Sequence, residues 1–170
     1  MYAEILILGE LMSGPKHGYE IKRNIQNALG DEFEINNNLL YPALRRFVEM
    51  GAISKEVIQT EGKPNRHVYC LTETGEEIFQ EMICDFPSKL AARQIEFLVR
   101  VALFDRLEPE IQQEIMRNRQ EVLQKKLEYY RKAEQDHVQN PYVLKVIDLQ
   151  KAQTELELKW IQSLSQEMDQ

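Results

Sequence analysis

Cysteine is scarce, with 2 in 170 residues. Cys70 and Cys84 form no CxxC pair and sit near no histidine cluster, which excludes a disulfide framework and provides no metal-ligand spacing. Both are expected to be buried structural thiols. Long apolar runs are missing too. The longest, 95–104, is interrupted by Arg100 and falls short of the roughly 18 residues of a membrane span. A basic leader is also lacking: residues 1–12 are apolar but carry Glu4 and Glu10 and show no small-residue cleavage pattern, so a cytoplasmic chain is expected. There is no glycine-rich phosphate loop, no HExxH, no paired cysteine ligands and no nucleophile elbow. Three scattered histidines and many surface glutamates do not make a site, so no enzyme activity, catalytic residue, metal or cofactor is expected. Positive charge is in deficit as well: 21 Lys and Arg against 28 Asp and Glu give a net charge of −7. That balance weighs against a nucleic-acid binder unless the basic residues are concentrated in one place.

What is present suffices for a folded chain, with 43% hydrophobic and 29% charged residues. Ile5, Leu6, Leu8 and Leu11 recur at spacings of a short buried helix that Gly14-Pro15 ends. A second helix follows from His17 to Leu29 with Ile21, Ile25, Ala28 and Leu29 as its stripe and Gly30 as its stop. Asn36-Asn37-Asn38 supplies N-cap candidates for a third helix from about Asn38 to Met50, with Pro42 tolerable only near the first turn. The β-branched run 52–58 and the run 66–71, with turn chemistry at Glu61-Gly62-Lys63-Pro64-Asn65 between them, predict a two-stranded hairpin. Thr72 is the N-cap candidate of a fourth helix, with Glu73 and Glu76 in its first turn.

The order helix, helix, helix, hairpin, helix is that of a winged helix-turn-helix, assigned to residues 1–86. Residues 87–170 are predicted to be helical throughout. An apolar segment at 88–104 is expected to be buried at a domain junction. A long helix from Pro109 to about His137 carries Met116, Leu123, Leu127 and Tyr130 as a stripe. Asn140-Pro141 breaks it, and a last helix to about Glu167 carries Leu149, Ala152, Leu156, Trp160 and Leu164 at spacings of three and four. Two long helices joined by a few residues pack antiparallel, and such a hairpin buries too little alone, so these five residues are expected to dimerise the chain with two-fold symmetry. Trp160, the only tryptophan, is read as a core or interface residue rather than a ligand platform. The expected fold class is mainly α: a winged helix-turn-helix with a two-stranded wing, then an antiparallel helical dimerisation domain.

A helix-turn-helix works by laying one helix in the major groove. In the third helix Leu40, Ala43, Leu44, Phe47 and Val48 form the inward side, leaving Asn37, Asn38, Tyr41, Arg45 and Arg46 to face outward. Asparagine can pair with adenine and arginine with guanine, and either can bind phosphate. Tyr19 is a further contact candidate. Lys63 and Arg66 at the hairpin tip, with Lys55 on the opposing strand, suit a wing that reaches phosphate or the minor groove. From 36 to 67, Arg45, Arg46, Lys55, Lys63 and Arg66 outnumber Glu49, Glu56 and Glu61, a basic stretch inside an acidic chain. His17 is read as a helix-start residue and His67 as a strand surface residue.

The chain resembles the PadR transcriptional regulators. The resemblance rests on Leu8-Gly9-Glu10-Leu11, Gly14-Pro15-Lys16-His17-Gly18-Tyr19-Glu20-Ile21, Leu40-Tyr41-Pro42-Ala43-Leu44-Arg45-Arg46 and Val68-Tyr69-Cys70-Leu71-Thr72-Glu73-Thr74-Gly75, in the family's order and spacing over the first half of the chain. The second half is similar at the level of pattern to the longer helical domain of the phenolic-acid-responsive subgroup. The resemblance implies a dimeric repressor on a palindromic double-stranded operator, sometimes released by a small aromatic ligand. Where the family often has Gly or Ser before its Leu-Tyr-Pro-Ala-Leu segment, this chain has Asn36-Asn37-Asn38, so a base preference does not carry over. The rival expectation is a winged-helix protein-interaction module without specific DNA binding.

Overall fold

The first helix, α1 (Tyr2–Leu11), is apolar nearly all round, and the computed structural model buries it accordingly, from Ala3 through Leu11 with only Glu10 among the last seven left half-exposed. The structure describes residues 1–58, 66–136 and 139–168. It forms two compact units, one of Met1–Asp85 with Leu98–Leu103 and one of Phe86–Phe97 with Phe104–Gln170.

In the first unit α1 packs against α2 (Gly18–Leu29), α3 (Asn37–Glu49) and α4 (Glu73–Cys84). Each Ile or Leu fully buried among them contributes about 2 kcal/mol by transfer from water. The wing is β2 (Ile53–Ile58) paired antiparallel with β3 (Arg66–Leu71), and Lys55 lies opposite Tyr69. The expected two-stranded hairpin gains a third strand, β1 (Lys16–His17), giving the order β1-β3-β2 with Lys16 opposite Tyr69 and His17 opposite Val68. Two residues are too few to show a period of two, so pairing alone marks β1 as a strand. The turn expected at residues 61–65 lies outside the described residues.

Helix α3 is started by Asn36, whose Oδ1 accepts from the Leu39 N–H at 3.1 Å. Its buried side is Leu40, Ala43, Leu44 and Phe47, with Val48 half-buried. Pro42 lies deeper than the expected first turn, at the sixth helical position, where its missing N–H leaves the Asn38 carbonyl without its usual donor.

Thr72 caps α4, accepting from the Gly75 N–H at 3.1 Å, while its hydroxyl lies 2.7 Å from the Gly51 carbonyl and 2.9 Å from that of Ala52. Helix α4 docks so closely here that a Cβ on Gly75 would lie 2.0 Å from the Ala52 carbonyl oxygen and 2.6 Å from Leu71 Cδ1. The first of these neighbours is backbone and cannot yield cheaply. Gly75→Ala is therefore expected to destabilise the unit by about 2 kcal/mol through overpacking. A urea midpoint equal to the parent's would refute the close α4 contact.

The apolar segment at 88–104 consists of α5 (Ser88–Ala91), α6 (Gln94–Val101) and the start of a 3-10 turn (Phe104–Arg106). It also holds two fully buried charged residues, Glu96 and Arg100. Within the first unit, Arg100 Nε donates to the Ile83 carbonyl at 3.0 Å, and Nη2 donates to those of Met82 at 3.0 Å and Asp85 at 2.9 Å. These acceptors are at and just beyond the C-terminal end of α4, where the dipole favours a cation.

The second unit is dominated by the antiparallel pair α7 (Pro109–Asp136) and α8 (Pro141–Met168), the latter capped by Asn140, whose Oδ1 accepts from the N–H groups of Tyr142 and Val143 at 3.2 Å. The expected end of α7 near His137 falls at a residue outside those described. The α7 stripe Met116, Leu123, Leu127 and Tyr130 is buried. Contacts run in opposite directions along the pair, from Tyr130 Oη with Gln150 at 3.1 Å, through Arg119 with Glu157, to Met116 with Ser165 at 3.4 Å. The buried Arg119 and the half-buried Glu157 form a two-pronged ion pair at 2.7 and 2.9 Å, and Arg119 Nη1 donates to the Ala91 carbonyl at 2.6 Å. The guanidinium also lies over the Phe97 ring, 5.7 Å from its centroid.

Candidate nucleic-acid interface

The outer face of α3 is laid bare by the burial of its opposite side. Asn37, Asn38, Tyr41, Arg45 and Arg46 are all exposed, as the helical period requires once Leu40, Ala43, Leu44 and Phe47 point inward. Asn37 and Asn38 occupy the first turn, where backbone N–H groups lack helical acceptors. Arg45 has no ion pair among the described residues. Arg46, by contrast, is bonded to Glu4 of α1, and it also lies 5.9 Å from the Phe47 ring centroid. Its charge is thus partly committed within the unit, a pairing that sequence could not reveal because Glu4 lies 42 positions away.

On the wing, Lys55 is exposed on β2, and Arg66 is exposed where β3 begins, opposite Ile58. Lys63 lies outside the described residues. Tyr19 is exposed in the first turn of α2, and Arg23, one turn on, stands 5.7 Å from the Tyr19 ring centroid. Tyr41 crosses to α2: a Cβ on Gly18 would meet Tyr41 Cε1 at 3.3 Å, so glycine there lets the ring lie against the helix start.

These elements enclose a cavity of about 530 Å³ whose rim includes Tyr19, Arg23, Tyr41 and Arg66, with Tyr69 in its wall. Burial first, and then the neighbouring Tyr41, raises the Tyr69 pKa above its usual value, which keeps it a neutral phenol. His17 and His67 also line the cavity, and His17 Nδ1 is 2.8 Å from the His67 carbonyl oxygen. Sequence reasoning brought Tyr19, Tyr41 and Arg66 to one surface but omitted Arg23. The signal was available: Arg23 is four residues after Tyr19 and shares its helix face.

The dimerisation candidates lie in the second unit. Leu149 (56%), Leu156 (69%) and Trp160 (41%) are exposed despite their apolar character, Ala152 is exposed and Leu164 is half-buried. The side of α8 that packs on α7 is instead marked by Ile147, Thr154 and Ile161. Trp160 meets Phe97 edge-on at 6.2 Å. Among the described residues no helix is long and apolar enough to cross a membrane, and no group of three acidic, histidine or cysteine side chains is arranged to hold a metal.

Residues 7–81 match the transcriptional regulator PadR-like family. Among solved structures, a transcriptional regulator from Clostridium thermocellum is 28% identical over 47% of this chain and 77% of its own, with a TM-score of 0.44. A PadR-like transcription factor from Bacteroides fragilis is 27% identical over 46% of this chain and 73% of its own, with a TM-score of 0.42. Bacillus subtilis PadR in complex with operator DNA is 18% identical over 95% of both chains, with a TM-score of 0.46. No curated protein matches the chain.

Proposed function

From the match of residues 7–81 to the PadR-like family of transcriptional regulators, we propose that this chain is a sequence-specific DNA-binding regulator, a dimeric repressor on a palindromic operator. The observation that carries the reading is the outer face of α3. Asn37, Asn38, Tyr41 and Arg45 stand exposed on the helix that a helix-turn-helix lays in the major groove, beside Arg66 and Lys55 of the wing. In this reading residues 1–86 bind DNA, with Tyr19, Arg46 and Lys63 adding contacts, and residues 87–170 dimerise. Leu149, Ala152, Leu156, Trp160 and Leu164 form the dimer surface, and exposed Leu and Trp on one helix face are what a partner helix would cover. The pair of α3 helices then enters successive major grooves roughly 34 Å apart. A small aromatic effector relieves repression by favouring another arrangement, by no more than its differential affinity.

The net charge of −7 favours a second reading, a winged-helix module for protein contact. Binding of the purified protein to its own upstream DNA, titrated against salt with unrelated DNA as competitor, separates the two. A regulator binds tightly, resists competitor and loses affinity steeply with salt, because each phosphate contact releases counterions. In Arg45→Ala the operator preference or the salt slope is expected to fall, at a cost of about 1–3 kcal/mol if Arg45 reads a base. Weak binding, equal for all DNA and flat in salt, would favour the protein-contact module.

A further inference from the structure

The cavity between α2, α3 and the wing is lined by two guanidiniums, Arg23 and Arg66, neither of which has a carboxylate partner among the described residues. That is unusual in a chain where acidic residues outnumber basic ones, 28 to 21. Neighbouring cations are neutralised: Lys22 pairs with Glu34 at 2.8 Å, Lys16 lies 3.9 Å from Glu10, and Arg46 is bonded to Glu4. Glu20, the one acid among the described residues of the lining, has its carboxylate turned to the His17 backbone N–H at 2.8 Å. His67, also in the lining, keeps its Nδ1 buried with no hydrogen-bond partner among the described residues. The buried Tyr69 phenol, its pKa raised, does not oppose an anion.

We propose that this cavity seats one phosphate of the DNA backbone, with Arg23 and Arg66 supplying the charge and Tyr41 a hydroxyl donor. The proposal rests on the DNA-binding reading above and adds Arg23 to it. Phosphate is favoured over a base edge by position. Arg23 is on α2, the helix that precedes the recognition helix and crosses the backbone in a helix-turn-helix, whereas the base-reading candidates Asn37 and Asn38 are on α3. A volume of about 530 Å³ with an open mouth admits a phosphate together with its flanking sugar. The contact is blind to sequence, so it contributes equally on operator and unrelated DNA and shows itself in salt dependence.

The test uses the full chain and two probes, its upstream DNA and an unrelated duplex, each titrated over a range of salt. Arg23→Ala is expected to lower affinity by the same factor, about fivefold or more, on both duplexes and to reduce the salt slope by about one. Arg66→Ala should do likewise, and Arg23→Lys should restore most of the slope. Lys22→Ala, which removes the adjacent but already paired charge, should leave the slope as it was. An Arg23→Ala slope equal to the parent's, or a loss confined to the upstream DNA, overturns the phosphate seat while leaving the DNA-binding reading intact. A parent chain that binds neither duplex overturns that reading instead. The cavity is then judged by inorganic phosphate alone, at constant ionic strength: shifts of the His17 and His67 imidazole resonances that vanish in Arg23→Ala assign it to free phosphate, and their absence rejects an anion site altogether.

Discussion

Replacing Glu157 with alanine is expected to destabilise the α7–α8 unit by about 3–5 kcal/mol, because it leaves the Arg119 guanidinium buried without its counter-charge. The two prongs, at 2.7 and 2.9 Å, are lost together, and the Ala91 carbonyl and the Phe97 ring that remain cannot neutralise a full charge. Trp160 stands edge-on to Phe97, so its emission follows unfolding of this unit directly. The urea midpoint read at Trp160 should fall well below the parent's. Replacing both partners, Arg119→Met with Glu157→Leu, should recover most of the loss, since the desolvation of both ions disappears with their attraction. A single variant as stable as the parent, or a double variant worse than the single, would mean that the pair is solvated and that its geometry is incidental.

Arg100→Leu is expected to cost the first unit about 3 kcal/mol. The side chain is completely buried, yet its value lies in its donors: three carbonyls at the C-terminal end of α4 converge on one guanidinium, and leucine offers none of them a hydrogen bond. Each acceptor stranded out of water costs about 1–3 kcal/mol, moderated here because the Asp85 end is exposed and water can replace part of the loss. Far-UV circular dichroism in urea should show an earlier transition for Arg100→Leu and a smaller shift for Arg100→Lys, which keeps the charge but reaches fewer carbonyls. Coincident curves for all three proteins would refute the capping role.

The fold was most legible where local signals agree. Asn36 before a run with Leu40, Ala43, Leu44 and Phe47 on one side marks α3 and its outer face, and Thr72 with Glu73 and Glu76 marks the start of α4. Strand β1 was illegible because it exists only through pairing with β3. The orientation of α8 was illegible for a different reason: the helix carries two apolar seams one residue apart. Tyr142, Val146, Leu149, Leu156 and Trp160 form one, exposed, while Val143, Ile147, Thr154 and Ile161 follow the other toward α7. Both repeat in steps of three, four or seven, so periodicity says that the helix is amphipathic without saying which seam faces inward. The buried charges resist reading in the same way. Arg100 and Arg119 resemble solvated residues in sequence, and the carbonyls and carboxylate that help to make their burial tolerable come from 15 to 38 positions away. At the candidate interface the residue types were legible but their commitments were not. Nothing local distinguishes Arg46, tied to Glu4, from Arg45, which has no such tie.

The amino-terminal unit is discontinuous along the chain. It closes with Leu98–Leu103 only after the intervening stretch 86–97 has gone to the other unit. A fragment ending anywhere between 86 and 97 therefore contains every candidate for DNA contact but lacks Arg100, whose guanidinium satisfies the end of α4, and Leu103, whose methyls lie beside the Gly9 position of α1. The winged half of this protein is therefore not freed by a cut at the end of α4. Any graft or excision has to carry the chain through residue 103, and helix α6, which serves both units, travels with it.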